Sequence, residues 1–461
     1  MALAAAALVA LSALSACEEE VPPPPPPQPQ AAPPAPVAAE PADPAPVTDG
    51  DVTVAWANGV KILVKRIPGA EIASMQLYVK GGARNWGPDD AGVERLALAA
   101  ATSGGTETLD KGAFSRRLAA LGSDLGSAVR ADFAEIRAKS LTGAWDDTFT
   151  LLADAFLHPA LPAAEIEVQR QSQIASLRRE QDDPDALLGL SVHRAVFKGH
   201  PFENRAVGTL ESVQKLGADA LRAHLGKLRE TSRLVFVTAG NVDAAHVVDR
   251  VKAAFGGLPR GSYQGAPFPP VRFAAAALTT VEKKLETTYI QGAFPVPALG
   301  DPDYADGVVA MSLLGHRVFE EVRTKRNLSY APGAGMNGGT TVPLGYLYVT
   351  AVDPNTTLKV MFDEVRKLQA EPISEKDLAG TKATYVTDYL MENETTDGQA
   401  SMLADAELLG GSYALARTLP DRIRAVTAAG VQAFAKKYLA HLQVVVVGDP
   451  SKLDRALFLS L

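Results

Sequence analysis

The sequence predicts an α+β protein of two homologous domains, each a mostly antiparallel sheet of about five or six strands with helices packed on one face. Three observations lead there. Beyond residue 50, segments alternating apolar and polar residues interleave with segments of helical period. An amphipathic helix followed by an apolar strand occurs twice, the strands falling at residues 233–243 and 442–450. The stretch from Leu77 through Gly81-Gly82 to Gly92 has an echo between Ala293 and Gly307, each a strand that passes through an Asp/Pro turn into an apolar helix. The Gly/Pro-rich stretch at 256–270 separates the two copies, giving domains at 51–262 and 263–461.

Taken in order, residues 1–17 are almost all Ala, Leu, Val and Ser and end in Leu14-Ser15-Ala16-Cys17. The apolar run is too short for a permanent membrane span and reads as a signal peptide. Small residues before a cysteine resemble the lipobox of bacterial lipoproteins, although the usual basic start is missing. That resemblance implies cleavage before Cys17 and a lipid on it, which would use the only cysteine of the chain. Residues 18–50 include six consecutive prolines from Pro22 to Pro27 and then mixed Pro and Ala, a composition that forms extended, disordered linker rather than core. A lipid followed by a spacer fits a protein tethered at the periplasmic face of a bacterial cell envelope. Glu18 stands where Asp marks inner-membrane retention in enteric bacteria, which points to the outer membrane. The balance of 45 Lys+Arg against 53 Asp+Glu gives a net charge of -8 and argues against nucleic-acid binding.

From Val52 the alternation through Val54, Val60, Ile62 and Val64 around Asn58-Gly59 predicts a hairpin or short meander. A strand at 75–79 precedes helices at 89–101 and 111–121. Strands at 127–130 and 135–141 lead into helices at 145–157 and 162–181, the latter closing at Asp182-Asp183-Pro184. A helix at 218–228 and the strand after it complete the first half.

Several stretches then line up with one family: Asn58-Gly59-Val60-Lys61, Gly81-Gly82-Ala83-Arg84, His158-Pro159, the helix from Glu165 to Pro184, the run from Phe197 to Pro201 with Gly208-Thr209, and the segment from Arg323 to Tyr330. Their order and spacing resemble the pitrilysin/insulinase-type (inverzincin) metallopeptidases, which include the mitochondrial processing peptidase. The resemblance covers the chain after residue 50 and implies two halves, or two chains, that close around a chamber.

The family's chemistry rests on H-x-x-E-H, in which two His bind zinc and the Glu acts as base on metal-bound water. Aligned on Gly92 and Gly104-Gly105-Thr106, those positions here are Arg95, Leu96, Ala97, Leu98 and Ala99. The third ligand position falls on Ser176, with Ala175 as the nearest alternative. Zinc needs His, Cys or carboxylate donors, normally three from the protein, whereas Arg95 carries a permanent positive charge. The seven His, at 158, 193, 200, 224, 246, 316 and 441, include no pair at i, i+4 spacing, and Glu94 is the sole carboxylate beside the lost motif. His158, His193 and His200 fit hydrogen bonding in caps and turns. The glycines at 333, 335, 338 and 339 lack the Lys-Ser/Thr of a phosphate loop.

In the family, an Arg and a Tyr seven residues apart reach from the second half toward substrate at the zinc site, and Arg323 and Tyr330 match that pair. A guanidinium and a phenol can donate to a peptide carbonyl as its oxyanion forms. The bland alternative is that Arg323 is one exposed basic residue beside Lys325 and Arg326, and that Tyr330 packs where the helix ends. Some bacterial members divide zinc and the Arg/Tyr pair between two chains. The resemblance therefore implies a non-catalytic, zinc-less subunit that pairs with a zinc-bearing homologue to hydrolyse unfolded peptides, with no cofactor of its own. The alternative is a peptide-binding or assembly scaffold of the cell envelope without a peptidase partner.

Overall fold

A computed structural model describes residues 42–461. The expected signal peptide, Cys17 and most of the Pro/Ala-rich linker lie outside the described residues. The linker expectation ends too late, because Val47–Asp49 forms a strand antiparallel to the one that begins at Val52.

In the first half the strands are β1 (Val47–Asp49), β2 (Val52–Ala57), β3 (Val60–Arg66), β4 (Ile72–Lys80), β5 (Asp124–Val129), β6 (Phe133–Leu141) and β7 (Leu234–Gly240). They form a seven-stranded sheet in the order β1-β2-β3-β7-β4-β6-β5. The β3–β7 pair is parallel and the others antiparallel. The helices are α1 (Val93–Ser103), α2 (Lys111–Ala120), α3 (Trp145–Leu157), α4 (Ala163–Asp182), α5 (Pro184–Val196), α6 (Leu210–Lys215), α7 (Ala218–Leu228) and α8 (Ala244–Phe255).

The second half carries β8 (Ala277–Glu282), β9 (Thr288–Pro295), β10 (Gly333–Met336), β11 (Leu344–Ala351) and β12 (Gln443–Gly448). Its helices are α9 (Tyr304–Val318), α10 (Pro354–Ala370), α11 (Glu375–Glu392), α12 (Thr396–Gly410), α13 (Leu415–Ala425), α14 (Ala428–Tyr438) and α15 (Arg455–Phe458). The five strands are ordered β8-β12-β9-β11-β10, with β8 and β12 parallel. This repeats the arrangement β3-β7-β4-β6-β5 strand for strand, so the internal echo in the sequence is a repeat of topology.

Each sheet bears its own helices on one face. Ile62, Met75, Leu77, Val79 and Phe236 pack there against α1, α3, α7 and α8. The opposite face of the first sheet is covered by α12 of the second half, whose Ala400, Leu403 and Ala404 bury Val54, Leu63, Tyr78 and Val237. Conversely, α5 of the first half packs on β9 and β12, with Leu188 and Val192 in one core with Ala293, Val445 and Val447. The halves thus exchange one helix each. A polar seam fixes the register of α12: Ser74 Oγ and Gln76 Nε2 donate to Asp397 Oδ1 at 2.9 and 3.1 Å, and Gln76 Nε2 also donates to Ser401 Oγ at 3.0 Å. Ser74 and Gln76 are almost fully buried, so these bonds replace the water that the polar groups lose.

The connector at 256–276 is held to the first half. Phe268 packs on Phe202 with ring centroids 4.6 Å apart, and the Arg84 guanidinium lies 3.6 Å from the Phe268 centroid. The helix expected from residue 89 starts at Val93, because the chain turns at Gly92 with φ 96°. A Cβ there would lie 2.8 Å from Gln173 Nε2 and 2.9 Å from Val213 Cγ2.

Candidate functional site

Helix α1 places Arg95 and Ala99 on one face, toward β5 and α4. Together with Ser127, Ala128 and Val129 of β5 and Gln169, Ser172 and Gln173 of α4, they line a recess of 330 Å3. Among the described residues strand β5 pairs only with β6, so its outer backbone edge has no strand partner there beside this recess. Arg95 is exposed and has no hydrogen bond or ion pair among the described residues.

Ser176 does not line the recess. It lies one helical turn beyond Ser172, and Gln169, Ser172 and Gln173 occupy the place expected for it. Counting back from the helix end stopped about a turn short, since the spacing of a helix face repeats every 3.6 residues. Two of these amides are already committed. Gln173 Nε2 donates to Val207 O at 2.8 Å, and Gln169 Nε2 donates to Glu165 Oε1 at 2.8 Å and Ser103 Oγ at 3.2 Å.

Leu98, at the position of the catalytic base, has no solvent exposure and belongs to the core with Leu96 and Ala97. Glu94 faces away from the recess into the core, where its Oε2 accepts from His224 Nε2 and Asn85 Nδ2, both at 2.9 Å. Its other oxygen, Oε1, is buried with no hydrogen-bond partner among the described residues. What surrounds the recess is therefore a guanidinium, two amides, two hydroxyls and the apolar side chains of Ala99, Ala128 and Val129. These residues do not fit zinc, which takes imidazole, thiolate or carboxylate donors. Among the described residues, no group of three or more His, Cys, Asp or Glu is placed to hold a metal ion.

Of the three histidines expected in caps and turns, two stand there, whereas His193 lies within α5 with its Nε2 buried and without a hydrogen bond among the described residues. His200 Nδ1 accepts from Phe202 N at 3.0 Å, and His158 ends α3 with its Nδ1 3.0 Å from Asp154 Oδ1.

After α9 the chain enters a π-helical turn, Phe319–Thr324. Such wide turns are rare and frequently accompany functional sites. The turn stacks the Arg323 guanidinium between two rings, 5.0 Å from the Phe319 centroid and 4.2 Å from that of Tyr330. Tyr330 is 77% exposed and Phe319 42%, so the stack stands on the surface. Lys325 and Arg326 are different: both are held by Glu321, with Lys325 Nζ 2.7 Å from Oε1. Hydrogen bonds from these two cations drive the Glu321 carboxyl down to about 2. Among the described residues, Arg323 is thus the basic residue of the three with no carboxylate partner, and Tyr330 does not pack inward. The recess beside Arg95 is lined wholly from the first half, so Arg323 and Tyr330 are not part of it.

Residues 61–210 match the family model described as Insulinase (Peptidase family M16), and residues 215–385 match that of the Peptidase M16 inactive domain. Among curated relatives, an uncharacterized zinc protease of Mycobacterium bovis is 25% identical over 416 residues, covering 87% of this chain and 93% of its own length. The non-peptidase homolog YmxG of Helicobacter pylori is 22% identical over 377 residues, covering 80% of this chain and 86% of its own. Among solved structures, a peptidase M16 inactive domain from Pseudomonas fluorescens superimposes with a TM-score of 0.77 at 20% identity, over 87% of this chain and 98% of that one. The periplasmic protease PqqL of Escherichia coli gives 0.76 at 15% identity, over 88% of this chain and 46% of that one. With both family models matched in order along a chain of repeated α+β halves whose zinc-motif positions, two for metal ligands and one for the base, hold Arg95, Ala99 and Leu98, the protein belongs to peptidase family M16 as an inactive-type homologue.

Proposed function

We propose that this protein is the zinc-less subunit of a heteromeric peptidase, pairing with a zinc-bearing homologue and supplying Arg323 and Tyr330 to substrate bound at the partner's metal. The observation that carries this reading is the exposed stack of Arg323 between Phe319 and Tyr330, with no carboxylate among the described residues to occupy the guanidinium. Stacking between rings limits the rotamers of a long side chain, so less conformational entropy is lost when it meets a substrate. Its N–H donors and the Tyr330 hydroxyl suit a peptide carbonyl that gains negative charge as water attacks it. Zinc, held by the partner, would supply the activated water. A relative in Schizosaccharomyces pombe is named as a probable mitochondrial-processing peptidase subunit beta, which fits a family working in subunits.

The tether is part of the proposal. A lipid on Cys17 followed by the Pro/Ala-rich spacer would hold the folded body at the periplasmic face of the outer membrane, where unfolded peptides are the substrate class at hand.

The test is to mix the purified chain with an H-x-x-E-H homologue from the same cell and follow hydrolysis of an unfolded peptide. Arg323→Ala should lower kcat of the mixture by on the order of 100-fold, and Tyr330→Phe by on the order of 10-fold. Unchanged activity with both substitutions, in a complex shown to assemble, rules out the role in trans. An unrelated envelope complex recovered in place of the homologue would favour the scaffold alternative.

A further inference from the structure

Helices α9, α11, α12 and α13 and the loop at 338–343 enclose a cavity of 380 Å3, distant in sequence from the Arg95 recess and sharing no residue with it. Cavities of about 300–1,000 Å3 with apolar walls and a few convergent polar groups are the usual form of a small-ligand site. Here the walls include Met402 and Leu409 and three tyrosines, Tyr304, Tyr385 and Tyr389. The rings of Tyr385 and Tyr389 are stacked, with centroids 6.5 Å apart and planes 19° from parallel. Tyr389 donates its hydroxyl to Ala416 O at 2.6 Å. By contrast, the Tyr304 and Tyr385 hydroxyls and the Asp405 carboxylate have no hydrogen bond among the described residues, and Asp405 has no ion pair.

A half-buried carboxylate without a partner is costly, and natural cores pair such groups. One cation, Arg130, acts on Asp405 through space, without an ion pair, while its guanidinium lies 5.6 Å from the Phe133 centroid and against Gly339. Glu135 opposes even that influence. A second carboxylate, Glu392, also lines the cavity.

The geometry points to a binding site for an organic cation, an ammonium or guanidinium group on an apolar body, with Asp405 as counter-ion and Tyr304, Tyr385 and Tyr389 around it. Aromatic faces attract cations through the negative charge of their π-clouds, most strongly where water is excluded. The apolar body finds Met402 and Leu409, and the two unpartnered hydroxyls orient the charged end. A neutral ligand of the same shape would leave Asp405 unpaired, so charge rather than shape is the criterion of selection. The source of the cation is either a free amine or a basic side chain presented by a peptide. The site needs no partner chain and stands apart from the role of Arg323 and Tyr330.

Isothermal titration of the purified full chain at pH 7.5 compares phenethylammonium with phenethyl alcohol, its neutral counterpart. The amine should bind saturably and about tenfold or more tighter than the alcohol. Asp405→Asn should erase that preference, weakening the amine about tenfold or more. A second measurement needs no variant. Burial pushes the Asp405 carboxyl up to about 6, with Arg130 lowering it and Glu135 raising it, and Tyr78 and Tyr304 are the neutral neighbours. The amine preference of the unaltered chain should therefore collapse between pH 7.5 and pH 5. Competition by N-acetyl-Gly-Lys-Gly-amide would assign the site to a peptide side chain, and its failure to compete would assign it to a free amine. Equal affinity for amine and alcohol, no amine binding up to about 10 mM, or a preference that survives Asp405→Asn would overturn the proposal.

Discussion

Glu94 and His224 are joined by a 2.9 Å hydrogen bond with 1% and 5% of their side chains exposed, one residue away from the position where the family's first zinc ligand stands. The one carboxylate beside the lost motif is thus a strut between α1 and α7. Removing one member of a buried pair strands the other, which costs about 3–5 kcal/mol, while replacing both by apolar groups is often neutral. We expect His224→Ala to destabilise the chain by about 3 kcal/mol, and Glu94→Leu combined with His224→Leu to cost less than that single change. Urea unfolding of the three proteins decides it. A double variant weaker than His224→Ala would show that the pair contributes more than mutual compensation.

Arg95 leads to a second prediction. The guanidinium of Arg95 and the amides and hydroxyls around it offer zinc no anionic or imidazole ligand. The full chain, incubated with zinc and dialysed, should retain less than about a tenth of an equivalent. Tight stoichiometric zinc would reopen the possibility of a peptidase acting alone.

How much of this could be read from the chain depends on the range of the interaction. Helices α3 and α7 begin and end where their apolar period and flanking residues place them, because caps and periodicity are local. The loss of the metal motif was also local, written in Arg95, Leu98 and Ala99. The third-ligand position was not, because it depends on how α4 lies against α1, and the sequence count reached Ser176 where packing brings Gln169, Ser172 and Gln173. Residues 184–196 had no assignment in the sequence, and their helix α5 packs on a sheet that begins about ninety residues later. Alternation picks out Ile62, Val64, Met75, Leu77 and Val79 as one buried face, without showing that Leu63 and Tyr78 on the other face are buried under α12. The π-helical turn that separates Arg323 from its basic neighbours has no signature in the residues Phe319–Thr324 themselves.

The exchange of α5 and α12 makes the halves interdependent. Residues 42–262 alone would expose Val54, Leu63, Tyr78, Phe133, Val235 and Val237, a contiguous apolar face of the kind that drives association. Expressed separately, each half should aggregate or melt without cooperativity. Co-expressed as 42–262 and 263–461, they should be recovered together as a soluble complex. A monomeric first half with a sharp thermal transition would contradict the structural role given to α12.

Asp405 offers a prediction in which stability and binding pull apart. Its carboxyl is raised from 3.8 to about 6, chiefly by burial, so the fold prefers the protonated form. The sign follows from linkage: the stability is fully present below the unfolded value near 3.8 and is lost as pH rises through about 6. At neutral pH the charged carboxylate therefore weakens the fold, by an amount of order 2 kcal/mol. Asparagine keeps the shape without the charge. Asp405→Asn should raise the thermal midpoint at pH 7.5, and the gain should shrink toward zero at pH 4, as measured by calorimetry at the two pH values. Saturating phenethylammonium should restore part of the difference to the unaltered chain at pH 7.5 alone, since a ligand that binds only the folded state stabilises it by mass action. A gain independent of pH would mean that the charge of Asp405 is not the cause, and that its neighbours already neutralise it.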